Sequence, residues 1–150
     1  MKLSEAGSTL RQYLKTNWVD GAVQKTPIAW ENIDPIDFAG DQKPLEKGQN
    51  PWLSVEFFPH SSQTITVPGH CIRYYGTLEF GVFVKDGKGV PGDPFIDDLI
   101  DLFENQTLGT VGQRLRVKNI VSTTKYHTTS GWYVHRISFA FQFERFKLNP

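Results

Sequence analysis

The sequence lacks most of what would mark an enzyme, a membrane protein or a stapled secreted scaffold. Its one cysteine, Cys71, cannot close an internal disulfide, so a disulfide framework is excluded. It carries no net charge, with 16 Lys+Arg against 16 Asp+Glu, and so lacks the broad positive field of a sequence-independent duplex binder. No stretch approaches the ~18 apolar residues that a membrane-crossing helix needs. The opening MKLSEAGSTLRQYLK has no apolar run of the secretory type. The expectation is a soluble chain made and kept in a reducing cytoplasm, with no membrane partner.

Recognisable chemistry is equally scarce. His60, His70, Cys71, His127 and His135 show no metal-ligand spacing, and neighbours such as His70 and Cys71 on a strand point to opposite faces. There is no G-x-S-x-G elbow, and His60, Ser61 and Ser62 read as polar residues of an exposed segment. GKGVPG (87–92) precedes a helix but lacks the G-K-[ST] ending of a phosphate cradle. Asn105-Gln106-Thr107 matches the glycosylation acceptor pattern, a coincidence without a secretory signal. The sequence therefore predicts no catalytic residue, no metal site and no cofactor.

Aromatic residues are in good supply, 13% of 150, which argues for a folded chain. One domain spanning 1–150 fits this length, since folding at this size buries roughly 68–70% of the unfolded surface. Leu3, Ala6, Leu10, Tyr13, Leu14 and Trp18 recur at helical spacing, with Ser4 as expected N-cap and Asp20-Gly21 as expected stop. A short strand follows around Ile28 and Trp30. Residues 34–51 (DPIDFAGDQKPLEKGQNP) have no period and read as a long surface connection.

WLSVEFF (52–58) predicts a strand, and 59–71 a protruding hairpin or arm, because Pro59 and Pro68-Gly69 oppose a long central strand. IRYYGTLEFGVFVK (72–85) alternates strictly and predicts the longest strand, with Gly76 and Gly81 at bends or bulges. PFIDDLIDLFENQT (94–107) predicts a second helix, capped by Asp93 and carrying an acidic face of Asp97, Asp98, Asp101 and Glu104. QRLRVKNIV (113–121) predicts a strand with Leu115 and Val117 inward and Arg114, Arg116 and Lys118 outward. TTKYHTTSG (123–131) reads as a hairpin loop, and WYVHRISFAFQFERF (132–146) as a closing strand. The fold class is α+β: a two-layer domain, a mostly antiparallel or mixed sheet packed by two helices on one face.

Two features point to assembly. Trp52, Phe58, Tyr75, Phe83, Trp132, Val134 and Ala140 fall on the strand faces turned away from the predicted core, so the 34–51 connection or another chain should cover some of them. The basic stripe Arg114, Arg116 and Lys118 is either a half-exposed strand face or the complement of an acidic partner. One such partner is the helical face of Asp97, Asp98 and Asp101 on a neighbouring copy.

The run PIAWENI, then NPWLSVEFFP, RYYGTLEFGVFVKDGKG, the short acidic helix and the closing GWYVHRISFAFQFER resemble the bacteriophage tail-terminator family of lambda-like siphophages over about residues 5–145. That resemblance implies a structural virion protein without catalysis. It implies a homo-hexameric ring at the tail–neck junction that binds the major tail tube protein, halts tube polymerisation and meets a head-side connector or stopper protein. Genomic DNA would pass through the lumen without sequence-specific binding. The arm at 59–71 becomes a candidate for axial contacts, with Ile65 and Val67 as its apolar anchors. The alternatives are a head–tail connector or adaptor, and a small bacterial α+β enzyme or ligand-binding domain.

Overall fold

The computed structural model describes residues 1–30, 51–65, 71–87, 91–129 and 131–146. The predicted 34–51 connection, Pro51 apart, lies outside them, as does the tip of the arm, including Val67. The described residues form an α+β fold with two helices, a two-stranded ribbon and a six-stranded mixed sheet.

Helix α1 (Leu3–Asn17) buries Ala6, Leu10 and Leu14 at four-residue steps. Its first turn is closed by Glu5, whose carboxylate accepts the Lys2 backbone N–H at 2.5 Å, so the expected cap Ser4 sits inside the helix instead. Asp20-Gly21 is not the helix stop. The helix ends at Trp18, whose N–H reaches the Leu14 carbonyl, and Gly21 (φ +64°) turns a small ribbon between β1 (Val19–Asp20) and β2 (Val23–Gln24). Trp18 is fully buried, and its indole N–H donates to Thr26 Oγ1 at 2.9 Å.

The sheet order is β3 (Ile28–Ala29), β4 (Trp52–Thr64), β5 (Cys71–Lys85), β8 (Trp132–Phe146), β7 (Gln113–His127), β6 (Thr107–Thr110). Only β3 against β4 is parallel. The spine is β5 against β8, paired without a slip from Cys71↔Phe146 to Lys85↔Trp132. Strict alternation in both sequences fixes this register, because a one-residue slip would turn every apolar side chain to the other face.

β4 runs past Pro59 to Thr64, farther than predicted. Beyond Ser54 it has no outer neighbour among the described residues, and a proline is tolerated on such an edge. A register shift between Pro59 and Ser61 absorbs the local mismatch. The shift lies opposite Gly76, which pairs with Pro59, so a bulge does sit there, on the partner strand; at Gly81 the pairing is regular. A Cβ at Gly76 would lie 2.1 Å from the Phe58 carbonyl oxygen and 2.2 Å from the Phe141 ring. The missing side chain is what lets that ring stack on Phe57 across the strand, with centroids 4.4 Å apart.

Helix α2 spans Asp93–Phe103, ending short of the predicted 107 because Asn105 takes a left-handed φ of +56° and the chain turns into β6. Asp93 makes no capping bond; Gly92 holds the N-cap position. Instead the Asp93 carboxylate lies 3.1 Å from Lys125 Nζ and 3.2 Å from His135 Nδ1, tying the helix start to β7 and β8. The hairpin of β6 and β7 was not anticipated. β7 also continues to His127 through most of the predicted 123–131 loop, with the turn confined to the residues before Trp132.

Both helices lie on one face of the sheet. Phe103 of α2 contacts Phe80 (4.8 Å) and Phe139 (6.3 Å), and Tyr13 of α1 stands edge-on to Phe103 while donating its hydroxyl hydrogen to the Leu102 carbonyl. Phe80, Phe103, Phe139, Phe141 and Phe143 are all buried. Each such ring contributes about 1.5–3 kcal/mol by burial.

Candidate assembly surfaces

The face of the sheet turned away from the helices is built differently. Its aromatic residues cover one another: Trp52 stacks on Phe83 at 3.9 Å, Trp132 stands edge-on to Trp52 at 6.1 Å, and Lys85 Nζ sits 4.9 Å over the Trp132 ring. Trp52 and Trp132 are therefore only 5% exposed and Val134 not at all. Of the surplus apolar groups seen in the sequence, these are satisfied within the chain, while Phe58 stays exposed.

Polar residues hold the middle of this face. The Arg136 guanidinium donates to Glu79 Oε1 (2.8 Å) and to the Tyr126 hydroxyl (2.7 Å), and lies over the Phe83 ring. The Arg136 side chain is 26% exposed and that of Glu79 29%, so the pair is partly shielded from water. Burial opposes the charge on Arg136, but its hydrogen bonds and the Glu79 carboxylate outweigh this and raise its pKa. Arg73 and Glu144 pair at 2.6 Å across β5 and β8 and largely cancel.

At one end of the face lies a cleft of about 290 Å³ lined by Val111, Arg114, Arg116, Gln142, Glu144 and Phe146, among others. β7 alternation places it: Leu115 and Val117 are buried toward the helices, which sends Arg114, Arg116 and Lys118 outward, as the sequence predicts. The two-residue turn Val111–Gly112, with Gly112 at φ +84°, presents Val111 at 86% exposure. Phe146 at the end of β8 is 61% exposed. Neither Val111 nor Phe146 was singled out from the sequence: Val111 lies in a hairpin that was not anticipated, and Phe146 reads there as one more residue of an alternating strand.

On the opposite side of the molecule, α2 exposes Asp97 and Asp101. Asp98 behaves otherwise, since Lys25 Nζ takes its carboxylate at 2.6 Å. The acidic and basic patches are thus not brought together within one copy. Ile65 is 37% exposed, at the end of the β4–β5 hairpin, where its N–H donates to the Cys71 carbonyl at 3.0 Å. Cys71 is buried and its thiol pKa is raised, first by burial and then by the Glu144 charge, which leaves it a poor nucleophile. No group of three or more metal-ligating side chains converges among the described residues. No helix there is long and apolar enough to cross a membrane.

A family model described as phage tail terminator protein matches residues 7–141. This chain belongs to the phage tail terminator family. The family is one of structural virion proteins, so the chain is a phage tail protein. No curated protein matches it. One solved structure shares 18% identity with this terminator, covers 100% of it and 99% of its own length, and superposes with a TM-score of 0.69. At that identity the likeness shows the fold alone.

Proposed function

We propose that this chain, acting as one unit over 1–150, forms a homo-hexameric ring that caps the tail tube at the tail–neck junction of a siphophage virion. One face of the ring complements the last ring of tail tube protein and ends its polymerisation; the other meets the head-side connector or stopper. Genomic DNA crosses the lumen without sequence-specific contacts, and weak contact suits transit, since tight phosphate binding would slow it. The subunit is a two-layer domain, and the 34–51 connection and the 59–71 arm supply contacts along the ring axis. Ile65 and Val67 anchor the arm. Assembly takes place in the host bacterial cytoplasm, and no cofactor or turnover is required.

Membership of the terminator family carries this reading. The charge layout supports it: acidic Asp97 and Asp101 on one side of the molecule and basic Arg114, Arg116 and Lys118 on the other suit a head-to-tail contact, which closes into a ring when the rotation allows.

The test is co-assembly with purified tail tube protein, with tube lengths measured by electron microscopy. Addition of this protein is expected to shorten the tubes and narrow their length distribution. Unchanged lengths together with binding to portal-side proteins would replace the terminator by a connector. Ile65→Ser/Val67→Ser is expected to abolish capping while the oligomer persists; capping that survives the double substitution removes the arm's anchors from the account.

A further inference from the structure

We propose that the cleft at the end of β7 and β8 is the seat for helix α2 of the next copy, with Arg114 and Arg116 facing Asp97 and Asp101. This rests on the ring reading and names its contact.

The two patches match in spacing as well as sign. Arg114 and Arg116 project from one strand face, two residues and so ~6.8 Å apart. Asp97 and Asp101 lie one turn apart on α2, a rise of ~6 Å. Pro94 shares their stripe, since 94, 97 and 101 follow the i, i+3, i+7 pattern, and all three are exposed. It gives the helix an apolar end to set against Val111 and Phe146, the exposed apolar rim of the cleft.

The other charges nearby are already engaged. Glu144 in the cleft is held by Arg73, and Asp98 on the helix by Lys25. Arg114, Arg116, Asp97 and Asp101 have no ion-pair partner among the described residues. Because the cleft and α2 lie on opposite sides of the sheet, a single copy cannot join them. A second copy can, and the contact is then heterologous, which propagates from copy to copy.

The test uses two charge-reversed forms of the full chain, Arg114→Glu/Arg116→Glu and Asp97→Lys/Asp101→Lys, sized by light scattering. Each alone is expected to be monomeric where the wild type assembles, with the far-ultraviolet circular dichroism of the folded wild-type chain. An equimolar mixture is expected to recover an assembly of wild-type mass, because alternating copies restore every opposite-charge contact in an even-membered ring. Phe146→Ser is expected to raise the concentration for half-assembly about tenfold.

Charge-reversed forms that assemble like the wild type would overturn the seat and leave the ring standing. So would a mixture that stays monomeric while both forms are folded by circular dichroism. A wild-type chain that stays monomeric at every concentration would overturn the ring itself. Should a reversed form fold poorly, Arg114→Gln/Arg116→Gln carries the same test, with partial loss of assembly expected and full assembly contradicting the seat.

Discussion

On the helix-covered face of the sheet, Phe80, Phe103, Phe139, Leu115 and Val117 are closed off from water by other residues of the same chain. On the opposite face, order comes from stacked aromatics and ion pairs, Trp52 on Phe83 and Arg136 on Glu79, and its far end leaves Arg114, Arg116, Val111 and Phe146 open. The first face is complete within one copy. The second is stacked and ion-paired toward its middle, and among the described residues its far end is exposed, the place where a neighbouring copy is proposed to bind. Substitutions on the first face should therefore change stability without bearing on partners. Those at the end of the second should change assembly and leave the monomer's stability alone.

The largest effect is expected at Phe139, which is fully buried against both Phe80 and Phe103. Phe139→Ala should cost about 3–5 kcal/mol of unfolding free energy, read by urea denaturation. Gly76→Ala comes next. Its methyl group must displace both the Phe58 carbonyl and the Phe141 ring, an overpacking cost of about 1–3 kcal/mol. Arg136→Met, on the ion-paired middle of the other face, should cost about 1 kcal/mol, because its hydrogen bonds to Glu79 and Tyr126 are lost while both remain reachable by water. An Arg136→Met loss as large as that of Phe139→Ala would break the distinction between the faces.

The smallest effect is pH-dependent and sits at the start of α2. Burial, then the Lys125 charge, pushes the His135 pKa below its ordinary 6.5, against the pull of Asp93. Between that lowered value and 6.5, the unfolded chain binds more protons than the folded one. Stability therefore rises with pH through this window and is lost as pH falls through it. Thermal melts should show a shallow slope there that His135→Gln removes. Asp93 adds a separate window: Lys125 holds its carboxyl below the ordinary 3.8, so its contribution fades only as pH falls below that value.

Much of the fold was legible because period decides it. The alternation in 72–85 and 132–146 gave two strands that pair end to end, and the i, i+4 apolar stripe gave α1. What the sequence hid is tertiary. Pro59 reads as a breaker until β4 proves to lie at an edge. Gly76 reads as a bend or bulge, and a bulge does lie opposite it, but that the Phe141 ring needs its space shows only in the fold. Asp93 reads as a cap, yet Lys125, far along the chain, takes its carboxylate. The basic stripe was visible in Arg114 and Arg116, whereas Val111 and Phe146 acquire meaning only once a turn and a strand end bring them beside it.

A protein that ends the tail tube, as proposed, occupies the end of the tube and nowhere else on it. Gold-labelled protein added to growing tube polymers and imaged by electron microscopy is predicted to mark one end of each arrested tube and no other place. Label spread along the tube walls, or tubes that lengthen past a labelled end, would contradict it.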